Sequence, residues 1–170
     1  VWDVRSNPKV ADFWAELYKT ERNNLLVSFD GIHFCPGNGE YADDYKLHLD
    51  QGFGPEMKGK FKCVQGWVTS KEVSEGDGTL RCLVGSHVHH ADYADRFGLT
   101  HKDSAKQWHV VSRDEPTDKY QWYIDRGCTD VCIKAPKGSL VLWDSRTVHS
   151  GKESEHTEVR NVVYVCYMAR

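Results

Sequence analysis

Two histidines and one aspartate have the residue types and the spacing of a metal site. His48 and Asp50 lie two residues apart in a short strand-like run, so both side chains leave the same face of the predicted strand. His149 ends a second apolar run, residues 139–149, which predicts one strand with Trp143 on the same face as this histidine. A His-x-Asp triplet by itself is also typical of two solvated polar side chains. Two histidines and one carboxylate, with the other positions open, form the facial ligand set of non-haem Fe(II) oxygenases.

Arg160 has the charge and the position to bind an anionic co-substrate. It follows His149 on the next apolar run, residues 159–168, and shares its predicted face with the uncharged Val162 and Tyr164. A lone arginine on such a face needs an anionic partner. A guanidinium suits a carboxylate because it makes two parallel charged hydrogen bonds. The pattern predicts that Arg160 binds one carboxylate of 2-oxoglutarate, whose other end would chelate Fe(II) and leave a position for O2.

The elements that must position these residues are mostly short strands. Apolar runs with the composition of strands occur at residues 25–34, 45–51, 61–69, 79–86, 129–134, 139–149 and 159–168. Segments rich in Gly, Asn, Asp and Pro separate them and interrupt any continuous ladder. Many short strands with such punctuation predict a mostly β fold, either a barrel or a jelly roll.

One amphipathic helix is expected before the first strand. Residues 8–20 carry apolar side chains at helical spacing, with Pro8 in the first turn and Ser6 or Asn7 as the N-cap. The apolar stripe of this helix is expected to pack on the β fold. Residues 1–24 are therefore interpreted as a helical N-terminal support.

A polar segment interrupts the pattern of strands. Residues 88–127 are rich in histidine and aromatic residues and predict two short helices. The second helix, at residues 116–126, is expected to end at Gly127, which suits a left-handed cap. We interpret the segment as an insertion over one mouth of the barrel, within a single domain that spans residues 1–170.

Composition excludes several classes of function. The net charge is −3, and no run of Lys or Arg could bind a phosphate backbone, so no nucleic-acid partner is expected. No apolar stretch approaches the roughly 20 residues that span a bilayer, so no membrane association is expected. The six cysteines lack the dense spacing of a disulfide scaffold and predict reduced thiols in a cytoplasmic protein. The expected partner is a small-molecule substrate, and the oligomeric state stays open.

The sequence resembles the phytanoyl-CoA dioxygenase-like branch of the 2-oxoglutarate oxygenases between residues 25 and 168. Four pieces in a fixed order carry the resemblance: the triplet at residues 48–50, the stretch GWVTSKEVSEGDGTLRCLVGSH, the stretch APKGSLVLWDSRTVHSG, and Arg160 on the last predicted strand. The resemblance implies a double-stranded β-helix, that is, a jelly-roll or cupin-like barrel.

The same resemblance implies roles for individual residues. It assigns iron to His48, Asp50 and His149. It assigns 2-oxoglutarate to Arg160, with Tyr45 and Gln65 as further contacts. Halogenating relatives lack the carboxylate and use the space for chloride, so the aspartate favours hydroxylation over halogenation.

Other residues allow competing interpretations. A second metal site is conceivable at the histidines in and near the insertion, which are His87, His89, His90, His101 and His109. Positions in turns, in solvent or at the pocket mouth explain these histidines better than a second metal site does. Among the aromatic residues, Trp143 is the one expected to shape the substrate pocket, whereas the others suit the core. Asp144 and Arg146 predict an ion pair beside the distal histidine.

The expected function is hydroxylation of a small or medium organic molecule, with release of succinate and CO2. A protein or peptide hydroxylase is the first alternative, with residues 88–127 as its recognition surface. A non-catalytic β-barrel binding module is the second.

Overall fold

Ten strands and four α-helices form the fold over the residues that the structure describes. The structure is a computed structural model and describes residues 1–35, 46–103, 108–113, 118–155 and 159–170. The helices are α1 (Trp2–Arg5), α2 (Pro8–Leu17), α3 (His90–Arg96) and α4 (Lys119–Ile124). The strands are β1 (Leu25–Val27), β2 (Ile32–Cys35), β3 (His48–Leu49), β4 (Val64–Thr69), β5 (Thr79–Val84), β6 (His109–Val110), β7 (Thr129–Cys132), β8 (Leu140–Asp144), β9 (His149–Lys152) and β10 (Arg160–Ala169). Within these ranges no helix has the length and apolar character needed to cross a membrane.

The strands pair into two antiparallel sheets. The first sheet has the order β1-β10-β4-β8, and β2 pairs with β10 beside β1. The second sheet has the order β6-β3-β9-β5-β7. Among the described residues no strand of one sheet pairs with a strand of the other, so no closed barrel is observed. The prediction of a mostly β fold is confirmed.

The two sheets share an apolar core on their facing sides. Trp67 and Val162 from the first sheet lie in one buried cluster with Leu80 from the second. The opposite face of the first sheet carries α2, where Trp14 is fully buried and packs with Val165. Alternate residues of β4 and β10 therefore serve two different layers, as the period of a strand requires.

The outer face of the second sheet is covered by the segment of residues 88–127. Leu49 and Val148 from this sheet are buried in one cluster with Tyr93 of α3 and Tyr123 of α4. The same segment also adds β6 to the edge of the sheet. Its two helices thus pack on the side of β3 and β9 that carries Leu49 and Val148. The position of the segment relative to a barrel mouth stays a prediction.

The N-terminal helix follows its local sequence signals. Pro8 occupies the first turn, and the side chain of Asn7 accepts a hydrogen bond from the N–H of Lys9 at 3.0 Å. The helix ends at Leu17 instead of residue 20, because Lys19 adopts a left-handed backbone conformation with φ of 51°. The expected helix and its cap are therefore confirmed, with a shorter C-terminal end.

Residues 139–149 form two strands and not the single strand predicted from their apolar pattern. β8 ends at Asp144 in the first sheet, and β9 begins at His149 in the second. The N–H of Thr147 donates to the carbonyl of Asp144 at 2.8 Å and closes a turn between them. The prediction that Trp143 and His149 share one face of one strand is therefore wrong. Residues 25–34 divide into β1 and β2 in the same way, at a polar bend.

An ion pair stabilises the turn between β8 and β9. Arg146 donates from Nε and Nη2 to the two carboxylate oxygens of Asp144, at 2.9 and 2.6 Å. Its Nη1 donates to the carbonyl of Gly59 at 2.8 Å. Burial raises the pKa of the Asp144 carboxyl, but the hydrogen bonds and the charge of Arg146 outweigh this effect and hold the pKa below its usual range. The predicted ion pair beside the distal histidine is present.

Candidate active site

The two histidines of the predicted metal site face each other across a strand pairing. His48 of β3 and His149 of β9 are direct cross-strand partners, and their ring centroids lie 4.5 Å apart. Asp50 follows β3, with Oδ1 3.5 Å from Nε2 of His48 and Oδ2 3.5 Å from Nε2 of His149. One ligand atom from each residue lies within 4.8 Å of the other two. The structure therefore brings these three side chains to a common centre.

Backbone carbonyls orient both imidazole rings. Nδ1 of His48 lies 2.8 Å from the carbonyl of Lys46, and Nδ1 of His149 lies 2.9 Å from the carbonyl of Thr147. Because a carbonyl can only accept, each Nδ1 carries the proton and donates it. Each Nε2 then presents its lone pair to the centre that the two rings share with the Asp50 carboxylate, where a cation would lie. Such fixed tautomers are typical of histidines that bind metals.

Burial keeps His149 in the form that can bind a metal. Its side chain is only 7% exposed. Desolvation lowers the pKa of His149 below its usual value, against an opposing effect of the Asp50 carboxylate. The imidazole is therefore neutral at neutral pH, and a neutral imidazole is the ligand that a metal requires.

Gln65 supports the carboxylate of this centre. Its Nε2 donates to Oδ2 of Asp50 at 2.6 Å. Gln65 lies on β4, between the cross-strand neighbours Trp143 of β8 and Cys166 of β10. The sequence predicted Gln65 as a contact of the co-substrate, and that role stays a prediction. Its contact with the aspartate was not foreseen.

A cavity of about 440 Å³ opens beside the three candidate ligands. Its wall includes the ligands themselves together with Gln65, Trp67, Trp143, Tyr164 and Arg160. These wall residues combine two imidazoles, a carboxylate and a guanidinium with indole rings. The cavity therefore suits a ligand that carries polar groups.

Arg160 lies in the wall of this cavity, at the start of β10. Its guanidinium carbon is 5.9 Å from the centroid of the Trp67 ring. His33 also lines the cavity. Burial lowers the pKa of His33, and the charge of Arg160 lowers it further. Tyr45, the other predicted contact of the co-substrate, lies outside the described residues.

Trp108 is a neighbour of the metal site that sequence reasoning missed. Its ring lies edge-on to the imidazole of His48, with centroids 5.1 Å apart, and 46% of the residue is exposed. The pairing of Leu49 with His109 sets the register of β6 against β3. Continued by one residue, this register places position 108 opposite Asp50, on the face of the metal ligands. Only the pairing of β6 with β3 reveals this contact.

Two histidines of the 88–127 segment have hydrogen-bonding roles in the structure. His90 is fully buried, and its ring nitrogens lie 3.1 Å from the N–H of Gly59 and 3.2 Å from the carbonyl of Gln51. Nε2 of His109 lies 3.0 Å from the hydroxyl of Tyr93. Within the described ranges, the group of His, Cys, Asp and Glu residues with ligand geometry is the one at His48, Asp50 and His149.

The donor set fits a divalent metal, and the adjoining wall fits a polar co-substrate. Two facing sheets, two histidines with one carboxylate, and an arginine in the same cavity define the class of Fe(II)- and 2-oxoglutarate-dependent oxygenases. The family model described as phytanoyl-CoA dioxygenase (PhyH) matches residues 2–162. The chain therefore belongs to the phytanoyl-CoA dioxygenase family, as the sequence motifs predicted. The predicted cofactors, Fe(II), 2-oxoglutarate and O2, agree with this membership.

Known proteins similar to this chain are longer than it is. The Ava biosynthesis cluster protein O of Aspergillus versicolor is 31% identical over 172 residues, which cover 100% of this chain and 54% of that protein. The chain thus spans about half the length of this curated relative.

Two crystal structures have a similar fold. The epimerase SnoN in complex with Fe3+, alpha ketoglutarate and nogalamycin RO has a TM-score of 0.61 at 17% identity, over 98% of this chain and 57% of that one. EctD from S. alaskensis with 2-oxoglutarate and 5-hydroxyectoine has a TM-score of 0.59 at 15% identity, over 98% and 51%. At these identities the similarity shows a common fold.

Proposed function

We propose that the chain carries the active site of a 2-oxoglutarate-dependent dioxygenase that hydroxylates a small or medium organic molecule. The observation that carries this proposal is the convergence of two oriented imidazoles and one carboxylate at the edge of a cavity that also contains an arginine. The two facing sheets support a double-stranded β-helix as the architecture, within a single domain of residues 1–170. The insertion at 88–127 would be part of that domain.

His48, Asp50 and His149 would hold Fe(II). Their Nε2 and carboxylate oxygen atoms point at one centre, and the cavity adjoins that centre. Three protein ligands would leave the other positions of the metal open to other molecules. When bound, Fe(II) would supply the redox chemistry by which O2 oxidises 2-oxoglutarate to succinate and CO2 and hydroxylates the substrate.

Arg160 would bind the distal carboxylate of 2-oxoglutarate. Its guanidinium would form charge-assisted hydrogen bonds to the two oxygens of that group. The indole rings of Trp67 and Trp143 lie in the same cavity wall. A co-substrate with a carboxylate at each end matches a cavity that has candidate metal ligands and a separate cation in its wall.

The protein's own residues also control water and orientation. Trp143 and Trp67 give the cavity an apolar wall beside its polar atoms, and such a wall limits the water around the reacting groups. Trp108 lies at the outer side of His48, where a substrate would approach. Because SnoN is an epimerase, stereochemical inversion by the same site is the competing reaction. Mass analysis of the product distinguishes the two, since hydroxylation adds one oxygen atom.

The test is a comparison of two histidine variants. Wild-type protein with Fe(II) and 2-oxoglutarate, without O2, should show a visible metal-to-ligand absorption band, and it should form succinate when O2 is admitted. His149→Ala should lose bound iron, the band and succinate together. His101→Ala, which removes an exposed histidine, should keep all three. Full iron binding and succinate formation by His149→Ala would refute the proposal.

A further inference from the structure

The side-chain amide of Gln65 is hydrogen-bonded to the carboxylate of Asp50. Within the described part of the chain, the hydrogen bond of its side chain is the one from Nε2 to Oδ2 of Asp50, at 2.6 Å. Its Oε1 is buried and accepts no hydrogen bond there. Burying an amide with half of its capacity unused costs free energy. A side chain that served packing alone would not need this amide, so the bond to Asp50 is the feature to explain.

The fold gives Gln65 little freedom to make another bond. β4 lies between β10 and β8 in the first sheet, and Gln65 is flanked there by Cys166 and Trp143. Asp50 belongs to the second sheet's side of the cavity, directly after β3. The hydrogen bond therefore crosses from one sheet to the other at the metal site. Of the two amide groups only the NH2 can bond to a carboxylate, which fixes the orientation of the amide.

The two oxygens of Asp50 are not equivalent as a result. Each oxygen lies 3.5 Å from one imidazole, Oδ1 from Nε2 of His48 and Oδ2 from Nε2 of His149, but it is Oδ2 that accepts the hydrogen bond of Gln65. A carboxylate can bind a metal through one oxygen or through both. A short hydrogen bond on one oxygen favours binding through the other.

We infer that Gln65 is a positioning residue that keeps Asp50 a one-oxygen ligand of the metal. This inference rests on the proposed function. Bound through Oδ1 alone, Asp50 would leave room at the metal for a chelating co-substrate and O2. Without the amide, Oδ2 would be free to bind the metal as well and would compete there with the oxygens of the co-substrate. Gln65 thereby protects co-substrate binding more than metal binding.

The decisive variant is Gln65→Met, which keeps the length of the side chain and removes the amide. We expect Co(II), used as a redox-stable probe, to bind within about threefold of wild type in isothermal titration. We expect 2-oxoglutarate to bind the Fe(II) protein about tenfold more weakly in anaerobic absorption titrations, which corresponds to about 1.4 kcal/mol. The absorption spectrum of the Co(II) protein should also change, because the number of ligands around the ion changes.

Gln121 offers a matched control. Its Nε2 donates to Oδ1 of Asp125 at 2.8 Å, so it makes the same kind of amide-to-carboxylate bond on the exposed surface of α4. Gln121→Met should bind both Co(II) and 2-oxoglutarate as wild type does. If Gln65→Met does not fold, Gln65→Asn serves instead, since its shorter amide cannot reach Asp50 and the same loss of 2-oxoglutarate affinity is expected.

Three results would overturn the inference. Unchanged affinity for 2-oxoglutarate in a folded Gln65 variant would show that the amide does not control the carboxylate. An equal loss of Co(II) and 2-oxoglutarate affinity would show that Gln65 holds the metal itself and not the ligation mode. A wild-type protein that binds neither would refute the proposed function and this inference with it, whereas the first two results leave the proposed function intact.

Discussion

At the scale of single residues, the charge and shape of Arg160 should decide how well 2-oxoglutarate binds. Arg160→Met removes the cation from the cavity wall, and charge-assisted hydrogen bonds contribute about 1.5 to 3 kcal/mol each. We expect the dissociation constant of 2-oxoglutarate, measured anaerobically with Fe(II) present, to rise about 10- to 100-fold. Arg160→Lys keeps the charge but loses the planar guanidinium with its paired donors. Its affinity for 2-oxoglutarate should therefore lie between those of the wild type and Arg160→Met.

Arg113 provides the control for that measurement. Its guanidinium is half exposed and pairs with Asp130 at 3.5 Å, away from the cavity wall. Arg113→Met should leave 2-oxoglutarate affinity unchanged. Wild-type affinity in Arg160→Met would mean that another group binds the distal carboxylate.

Single residues also show where sequence reasoning succeeds. His48 and Asp50 were predicted together because a spacing of two in a strand places both side chains on one face. Gln65 of β4 was expected to contact the co-substrate and not Asp50, and Trp108, just before β6, was expected in the core and not beside His48. Contacts of that kind depend on which strands pair and in which register, and neither is a local property.

At the scale of elements, α1 is linked to the cavity by a buried arginine. Arg5 is 3% exposed, and its guanidinium donates to the carbonyls of Asp30, Gly31 and Tyr164. All three acceptor residues line the cavity. The carbonyl of Arg5 in turn accepts from the hydroxyl of Tyr167. The N-terminal segment therefore fixes the bend between β1 and β2 against β10.

Loss of this link should destabilise the protein. Arg5→Met removes a buried, charged donor from these three carbonyls, and hydrogen bonds to charged groups contribute about 1.5 to 3 kcal/mol each, less where water replaces the donor at the exposed Asp30 and Gly31. We expect a decrease of about 2 to 4 kcal/mol in the free energy of unfolding, measured by urea denaturation. Arg22→Met, which breaks an exposed ion pair with Asp12, should cause no measurable change. Equal midpoints for the two variants would contradict the role of Arg5.

The elements show the limit of reading strands from apolar patterns. Residues 139–149 are continuously strand-like, yet they turn after Asp144 and cross from one sheet to the other. The turn is stabilised by the Asp144–Arg146 ion pair, whose presence was predicted but whose effect on chain direction was not. Helix α2 was easier to predict, because its cap and first turn depend on neighbouring residues only.

At the scale of the whole molecule, histidines whose pKa is lowered by burial occur in more than one part of the fold. Burial is the main cause that lowers the pKa of His90, His149 and His109, and for His109 it lowers the value to about 4. Below its unfolded pKa of about 6.5, each of these groups takes up a proton more readily in the unfolded chain than in the folded one. The contribution of these neutral histidines to the free energy of unfolding is therefore fully present above about pH 6.5, and it decreases as the pH falls towards their pKa values in the folded protein.

We expect the melting temperature of the metal-free protein to decrease between pH 7 and pH 5. His109 is partly accessible to solvent, so its share is expected to be about 1 kcal/mol, less than its shift alone implies, or roughly 2 to 4 °C. His109→Gln should flatten the dependence, and calorimetry over this range measures both proteins. A melting temperature that stays constant or rises between pH 7 and pH 5 would contradict the expectation.

The overall architecture was predictable in outline because many short apolar runs with turn signals leave few alternatives to a mostly β fold. The division of those runs between two sheets was not predictable from the runs themselves. The packing of α3 and α4 on the far side of β3 and β9 was likewise hidden, since aromatic side chains such as Tyr93 and Tyr123 suit a pocket wall as well as a core.

The pairing of His48 with His149 makes the alignment of two strands a condition of metal affinity. A one-residue insertion inside β3 would turn its imidazole towards the layer of α3 and α4 and bring Leu49 to the cavity instead. Changes in length after the buried Gln51 and before β4 would leave the pairing of His48 with His149 and the position of Asp50 untouched. Divergent descendants of this chain should therefore vary in length in that connection, while the paired segments of β3 and β9 keep their length.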